Sequence, residues 1–400
     1  MTAAGVAAPT SEAEALTVAQ EFAMKLAADV VERDRANANP VDEVRRFREA
    51  GLVPLLVPVE LGGAGLSWEA VLRVVRPIIR ADASIGHLVA YHYLNSWRTV
   101  LNEDSAAAHA LWRGTASELW FWGGAGNPRD EGLVLVRDGD DYLVSGRKFF
   151  ATGASVADKI TASATIEGTG EKVAIVIDGH ADGVTHPLDW DNIGQRLSAS
   201  GSVTFDRVRV PASQLLGASE QTGPGQRAFS SLSILFFQLL LSHIHVGIAE
   251  GALEAAAGYA RSSTKPWPTS GVDSALKDPY ILATLGELVA ATRASDALVW
   301  AATRRAVAAV ERGFDLTDEE RGELAVEITA AKVNSTRTVL DVTARAFELT
   351  GARATSASHS FDRFWRNART ISLHDPVAYK AKELGEYALT GTHPTPSKYS

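Results

Sequence analysis

Residues 192–217 read NIGQRLSASGSVTFDRVRVPASQLLG, and the second half of that stretch decides how the chain is built. From Gly201 to Val210 β-branched and aromatic residues alternate with polar ones, the period-two pattern of a half-buried strand, and Pro211 ends the run because it has no backbone N–H to give a ladder. The same period appears upstream in YLVSGRKFF (142–150), KITASATI (159–166) and KVAIVID (172–178). Turn-forming DGDD (138–141) and EGTGEK (167–172) separate these runs. Together they predict a β domain over 116–222.

On both sides the period changes to that of a helix. WEAVLRVVRPIIRAD (68–82) and SIGHLVAYHYLNSWRTVL (84–101) carry amphipathic spacing, and Ser11 with Glu14 has the form of a capping box at the first helix. The turn-rich LVPLLVPVELGGAGLSW (52–68) lies between, a connection over which a flat ligand can lie. After Gly223 helices are expected over 226–261 and 279–312, then from a Thr317–Glu320 capping box to Gly351, then over FDRFWRNAR (361–369), with a short one after Pro376. The expected organisation is therefore an N-terminal helical domain (1–115), a middle antiparallel β-barrel domain (116–222) and a C-terminal four-helix bundle (223–400), an α+β multidomain chain.

Composition narrows the function. The 400 residues are 46% hydrophobic and 22% charged, with a net charge of −9, so there is no concentrated basic face for nucleic acid. The absence of cysteine removes disulfides, thiolate metal sites and cysteine nucleophiles and sits most easily with a cytoplasmic enzyme. The N-terminal MTAAGVAAPTSEAEALT lacks the basic start and apolar centre of a signal peptide. The most apolar run, Ile234–Leu241, is shorter than the roughly 20 residues that span a bilayer and is expected to be a buried helix segment. No H-E-x-x-H or G-x-S-x-G is present, and no G-x-G-x-x-G follows a strand, so metal, serine-hydrolase and resident dinucleotide sites are not expected.

The order helical, β, helical, with Gly-x-Arg, Phe-Asp-x-Val-x-Val-Pro and Leu-Leu-Gly in 192–217 and Val-Pro-x-x-x-Gly-Gly-x-Gly-x-Ser in 57–67, resembles the acyl-CoA dehydrogenase superfamily. Dehydrogenases of that family use a carboxylate base in a Tyr-Glu-Gly-Thr run, and here Leu373-His374-Asp375-Pro376 stands in its place. Asp375 is a methylene too short to reach an α-proton at hydrogen-bond distance. The stretch FDRFWRNARTISLHDPVAYK (361–380), with SIGHLVAYH (84–92) and DPYILATLGE (278–287), instead resembles the dibenzothiophene monooxygenase branch.

That resemblance implies reduced FMN and O2 as co-substrates, with FAD the lesser alternative, a separate NAD(P)H:flavin reductase, a homotetramer, and oxygen transfer through a C4a-hydroperoxyflavin to a small, mostly apolar sulfide or thiophene. It implies His374 and His87 at the reactive edge of the flavin, with Tyr91 one helical turn from His87. Phe150, Thr152 and Gly153 in FFATGA (149–154) are the implied ring contacts, and Thr152 is also a candidate for catalysis. Asn127 in WFWGGAGNPRD (120–130) is a further cofactor candidate, displaced by two residues from the family pattern. Arg353 and Lys265 are the implied phosphate cations, Lys265 reaching a neighbouring subunit, and Tyr91, Trp122, Trp190 and Phe236 the implied pocket walls.

Plain readings compete with each. His374 alone is a helix-end histidine favoured by the dipole, His87 alone a satisfied interior residue, Trp122 and Trp190 ordinary core, and Arg363, Arg366 and Arg369 an ion-paired stripe. Alternative activities are N-hydroxylation, oxygenation of an indole-like ring, an FAD-dependent acyl-CoA dehydrogenase with Asp375 as base, and a catalytically silent binding protein.

Overall fold

The computed structural model describes residues 8–101, 105–218, 223 and 225–400. The N-terminal helices are α1 (Glu12–Ala28), α2 (Val30–Ala36), α3 (Val41–Glu49), α4 (Trp68–Ala81), α5 (Ala83–Arg98) and α6 (Ser105–Ser117). Ser11 caps α1 through Glu14 N–H, but the Glu14 carboxylate returns to Thr10 rather than to Ser11, so the expected box is closed one residue earlier. Asp82 ends α4 and starts α5, accepting from Ser84 and Ile85 N–H while its other oxygen pairs with Arg33 at 2.6 Å. This part-buried ion pair ties α2 to the junction of α4 and α5.

The strands are β1 (Trp122–Ala125), β2 (Leu133–Asp138), β3 (Asp141–Lys148), β4 (Lys159–Ile166), β5 (Lys172–Asp178), β6 (Val184–Thr185), β7 (Val203–Val210) and β8 (Leu215–Ala218). Their order is β6-β7-β3-β2-β4-β5-β8, with β1 on β4. The expectation of an antiparallel barrel needs correction in two respects. The β1–β4 and β2–β4 pairs are parallel, and among the described residues the ladder is an open path. Period-two patterning specifies which face of a strand is buried but carries no information about strand direction, which the connections decide. FFATGA is likewise a loop after β3 rather than a strand.

The C-terminal helices are α7 (Gln226–Ser230), α8 (Leu232–Ser262), α9 (Pro279–Arg312), α10 (Asp318–Thr350), α11 (Asp362–Ser372) and α12 (Val377–Thr390). Asp278 caps α9 ahead of Pro279, and both halves of the Thr317–Glu320 box form at α10. The long α8, α9 and α10 pack along one another, with α11 and α12 against α10. The stretch Gln226–Ser262 is long and apolar enough to cross a membrane, more than the eight-residue run suggested, but most of its apolar window is buried inside the chain. One apolar core joins α1, α4 and α5 to α8, α9 and α10, and a second fills the β domain. The 115/116 boundary falls inside α6, and 219–222 lie outside the described residues.

Candidate functional site

A cavity of about 580 Å³ opens where α5, the β domain and the α11–α12 turn converge. Its floor is one face of α5. His87, Tyr91, Asn95 and Arg98 follow one another at intervals of three or four residues and all line it. His87 is 5% exposed, and its Nδ1 lies 3.1 Å from Gln195 Oε1. The Tyr91 ring packs edge-on against the His87 ring at 4.3 Å. His87 Nε2, Tyr91 Oη, Asn95 Nδ2 and, on α11, Thr370 Oγ1 are buried with no hydrogen-bond partner among the described residues. Leaving a buried polar atom unpaired costs about 1–3 kcal/mol, so four on one cavity mark a surface built for a polar ligand.

Burial sets the ionisation of this floor. It lowers His87 to about 3, a shift the Gln195 bond opposes and nearby His374 adds to, and it raises the Tyr91 phenol. Both are therefore neutral at physiological pH.

His374 enters from the turn after α11, its ring 4.6 Å from that of Phe237. Its Nδ1 lies 3.3 Å from Asp375 Oδ1, and that oxygen lies 3.5 Å from Lys332 Nζ on α10. Burial alone would raise Asp375, but the bond from His374 and the charge of Lys332 outweigh it and hold the carboxyl well below its usual range. Burial in turn lowers Lys332 to about 8, against the pull of Asp375. Being ionised, Asp375 can only accept, so Nδ1 of His374 carries the proton and Nε2 is the nitrogen available to a ligand. Asp375 does not line the cavity. Its role as a substrate base is thereby excluded by its place beneath the histidine. Among the described lining residues the one carboxylate is Asp191, whose side chain is 86% exposed.

The β-domain wall carries Thr152, whose Oγ1 is 2.8 Å from Ser200 Oγ, which is 2.8 Å from Ser198 Oγ, which donates at 2.8 Å to the Gln195 carbonyl. Phe150 and Trp190 face each other edge-on at 6.1 Å across the same wall. Phe150, Leu188, Gln195 and Ala199 all have positive φ, between 49° and 56°. Such strain costs on the order of 1–2 kcal/mol per residue and concentrates around functional sites.

Several expected residues are not brought together. Trp122 is fully buried, bonded through Nε1 to Thr115 Oγ1 at 2.9 Å, and packs with Leu111, Val176 and Leu216 away from the cavity. Phe236 is fully buried between Trp68 and Trp97, at 5.0 and 4.7 Å, and Phe237 takes the wall position. One residue on a helix is a rotation of about 100°, and in ILFFQLLL both phenylalanines are equally apolar, so the pattern offers no choice between them. Gly153, at φ 77°, shapes a turn in which a Cβ would come within 3.1 Å of Leu88, and it does not line the cavity. Asn127 does line it, but its amide is engaged with Asp130 and Arg129 N–H. Lys265 and Arg353 are exposed and outside this chain's cavity. The arginine stripe divides. Arg366 pairs with Asp34 and Asp362, Arg363 lies over Phe364, and Arg369 lines the cavity.

Gln195, Asn95, Phe237, Thr370, Lys398 and Tyr399 are functional candidates that sequence reasoning did not name, and Arg369 was read only as part of an ion-paired stripe. Asn95 alone had a signal, its i+8 spacing from His87. The apolar walls fit a flat ring system, and Arg129, Arg369 and Lys398 fit an anionic tail. No cluster suited to a metal occurs among the described residues.

Comparison with known proteins assigns the family. Residues 10–102 match the acyl-CoA dehydrogenase N-terminal domain and 239–378 the acyl-CoA dehydrogenase C-terminal domain. The probable FMNH2-dependent monooxygenase SfnC of Pseudomonas putida is 41% identical, over 96% of this chain and 97% of that protein. Methanesulfinate monooxygenase MsuC from Pseudomonas fluorescens superposes with a TM-score of 0.92 at 40% identity, covering 96% of this chain and 99% of the other. FMN-bound TdsC from Paenibacillus sp. A11-2 gives 0.91 at 39%, covering 96% and 100%.

Proposed function

The chain belongs to the acyl-CoA dehydrogenase family, among its FMNH2-dependent monooxygenases, and from that premise we propose that it oxygenates a small organosulfur compound on the α5 face of the cavity. Reduced FMN, when bound, supplies the two electrons that let O2 give one atom to the sulfur and the other to water. The residues fit that group: apolar walls at Trp190, Phe150 and Phe237 for the ring, cations at Arg129, Arg369 and Lys398 for the phosphate, and unpaired polar atoms on α5.

This chain's own residues then have distinct tasks. His374, with Nδ1 committed to Asp375, presents Nε2 as the proton-carrying or accepting nitrogen. Neutral His87, which burial makes a weak base, and neutral Tyr91 serve as hydrogen-bonding groups rather than as a base toward the substrate. Phe237, Ile234 and Ile371 exclude water from the sulfur. The observation that carries this reading is the pair of imidazoles on the cavity combined with Asp375 buried beneath one of them. A dehydrogenase needs the reverse arrangement.

A sulfide or thiophene suits the apolar wall, and the donors on α5 also suit the oxygens of a sulfinate. Dependence on reduced FMN supports a separate flavin reductase as partner, and a homotetramer and cytoplasmic location complete the proposal. Mass spectrometry under 18O2, with NADH, FMN, a flavin reductase and a panel of sulfides, thiophenes, methanesulfinate and indole, tests it. Retention of one 18O atom on sulfur, dependent on reduced flavin, is expected. Anaerobic bleaching of bound flavin by an acyl-CoA, with no oxygen incorporation, would overturn it.

A further inference from the structure

Gln195 follows Gly194 in the loop before β7, is 1% exposed and has φ 55°. Every polar group it has is used. Its N–H donates to Asn367 Oδ1 at 2.6 Å, and its Nε2 donates to the Asn367 carbonyl at 3.3 Å. Its carbonyl accepts from Trp190 Nε1 and Ser198 Oγ, each at 2.8 Å. Its Oε1 faces His87 Nδ1 at 3.1 Å. The Asn367 carbonyl can only accept, which fixes the amide with Nε2 toward α11 and Oε1 toward His87. Oε1 can only accept in turn, so His87 Nδ1 bears the proton and Nε2, which lacks a partner among the described residues, is a bare lone pair.

The same residue polarises the opposite wall. Ser198 spends its single proton on the Gln195 carbonyl and Ser200 spends its own on Ser198, whose Oγ lies at 2.8 Å and carbonyl at 3.3 Å, so Thr152 donates to Ser200. Thr152 is then left with lone pairs for the cavity.

We propose that Gln195 is a positioning residue for the oxygenation: it locks His87 in the Nδ1-protonated form, so that both His87 and Thr152 meet the bound ligands as acceptors. This rests on the functional reading above for its purpose, but the tautomer itself does not. The acceptors complement a ligand that brings N–H or O–H groups, as a dihydroflavin does and an oxidised flavin does less. The ionisable groups facing His87 are Tyr91 and Arg98 from α5 and His374 from the α11–α12 turn, with Arg129, Asp191, Arg369 and Lys398 on the remaining walls.

The test uses the full chain labelled with 15N-histidine and solid-state NMR, the His87 ring being assigned by difference against His87→Asn. Wild type is expected to show protonated Nδ1 and unprotonated Nε2. Gln195→Leu should shift the ring toward the other tautomer and lower product per reduced FMN about tenfold, with hydrogen peroxide accounting for the difference. Gln195→Glu keeps the acceptor and adds a charge, so it should retain wild-type coupling near pH 8 and lose it as pH falls, an acid limb absent from wild type. An unprotonated Nδ1 in wild type would overturn the proposal, as would Gln195→Leu with unaltered tautomer and coupling, or Gln195→Glu with the wild-type pH profile. If wild type oxygenates no sulfur compound, the functional reading fails while the NMR result still decides the tautomer.

Discussion

His374→Ala removes the imidazole that enters the cavity from the turn after α11 while leaving the α5 floor and the cationic groups in place. Retained FMN binding, with product falling at least 100-fold and hydrogen peroxide rising to match reduced-flavin consumption, is the expected outcome, since general acid–base groups contribute about 10²–10⁴-fold. Unchanged turnover would take His374 out of the mechanism. Behind it, Lys332→Met leaves the Asp375 carboxylate buried without its countercharge; removing one member of such a pair costs about 3–5 kcal/mol. Denaturant unfolding should report that loss, and Lys332→Met with Asp375→Asn together should recover part of it. The His-Asp pair visible at 374–375 was legible in the sequence as a functional oddity. Lys332, 43 residues upstream on α10, was not, because an ion pair between helices leaves no local pattern.

At the scale of elements, α5 does two jobs with alternate faces. His87, Tyr91 and Asn95 serve the cavity, whereas His92 donates through Nε2 to the Val53 carbonyl at 3.0 Å and accepts at Nδ1 from Trp122 N–H at 3.1 Å, tying α5 to the 52–68 connection and to β1. The capping box at α10 is independent of both. Thr317→Ala should lower stability by about 1 kcal/mol, read as a fall in Tm, with kcat unchanged. The close approach of β1 to the turn after β3 is stricter: a Cβ at Gly123 would lie 2.8 Å from Ala154 N and Gly153 C, so Gly123→Ala must displace the segment carrying Thr152. Reduced FMN affinity and coupling, more than reduced Tm, are expected there. Helix limits at 279–312 and 317–351 were readable from caps, because Asp, Thr and Gly act within one turn of their own position.

The whole molecule responds to pH through its buried imidazoles. Burial, partly offset by the hydrogen bonds the rings donate to Gln195 and Val53, places His87 near 3 and His92 near 4, both below the unfolded value of 6.5. Between those values the unfolded chain binds protons that the folded chain does not, so stability is full above about pH 6.5 and falls as pH drops toward 4. Urea midpoints measured from pH 7.5 to 4.5 should decline monotonically, and His92→Asn should flatten the lower part of that decline. A midpoint that rises on acidification would contradict the assigned burial.

The resemblance to the acyl-CoA dehydrogenase superfamily pointed to a His-Asp-Pro turn in place of a carboxylate base, whereas the amino-acid order alone determined the succession of helical, β and helical segments and the caps that bound the long helices. These are signals carried within a few residues, by side-chain period and backbone chemistry. Only the tertiary structure decided which of Phe236 and Phe237 lines the cavity, that Trp122 is core, that Asp375 sits beneath His374 on Lys332, and that Gln195 holds His87. Each depends on rotation about a helix axis or on partners 43 to 172 residues apart, which packing of the whole chain selects and no local pattern encodes.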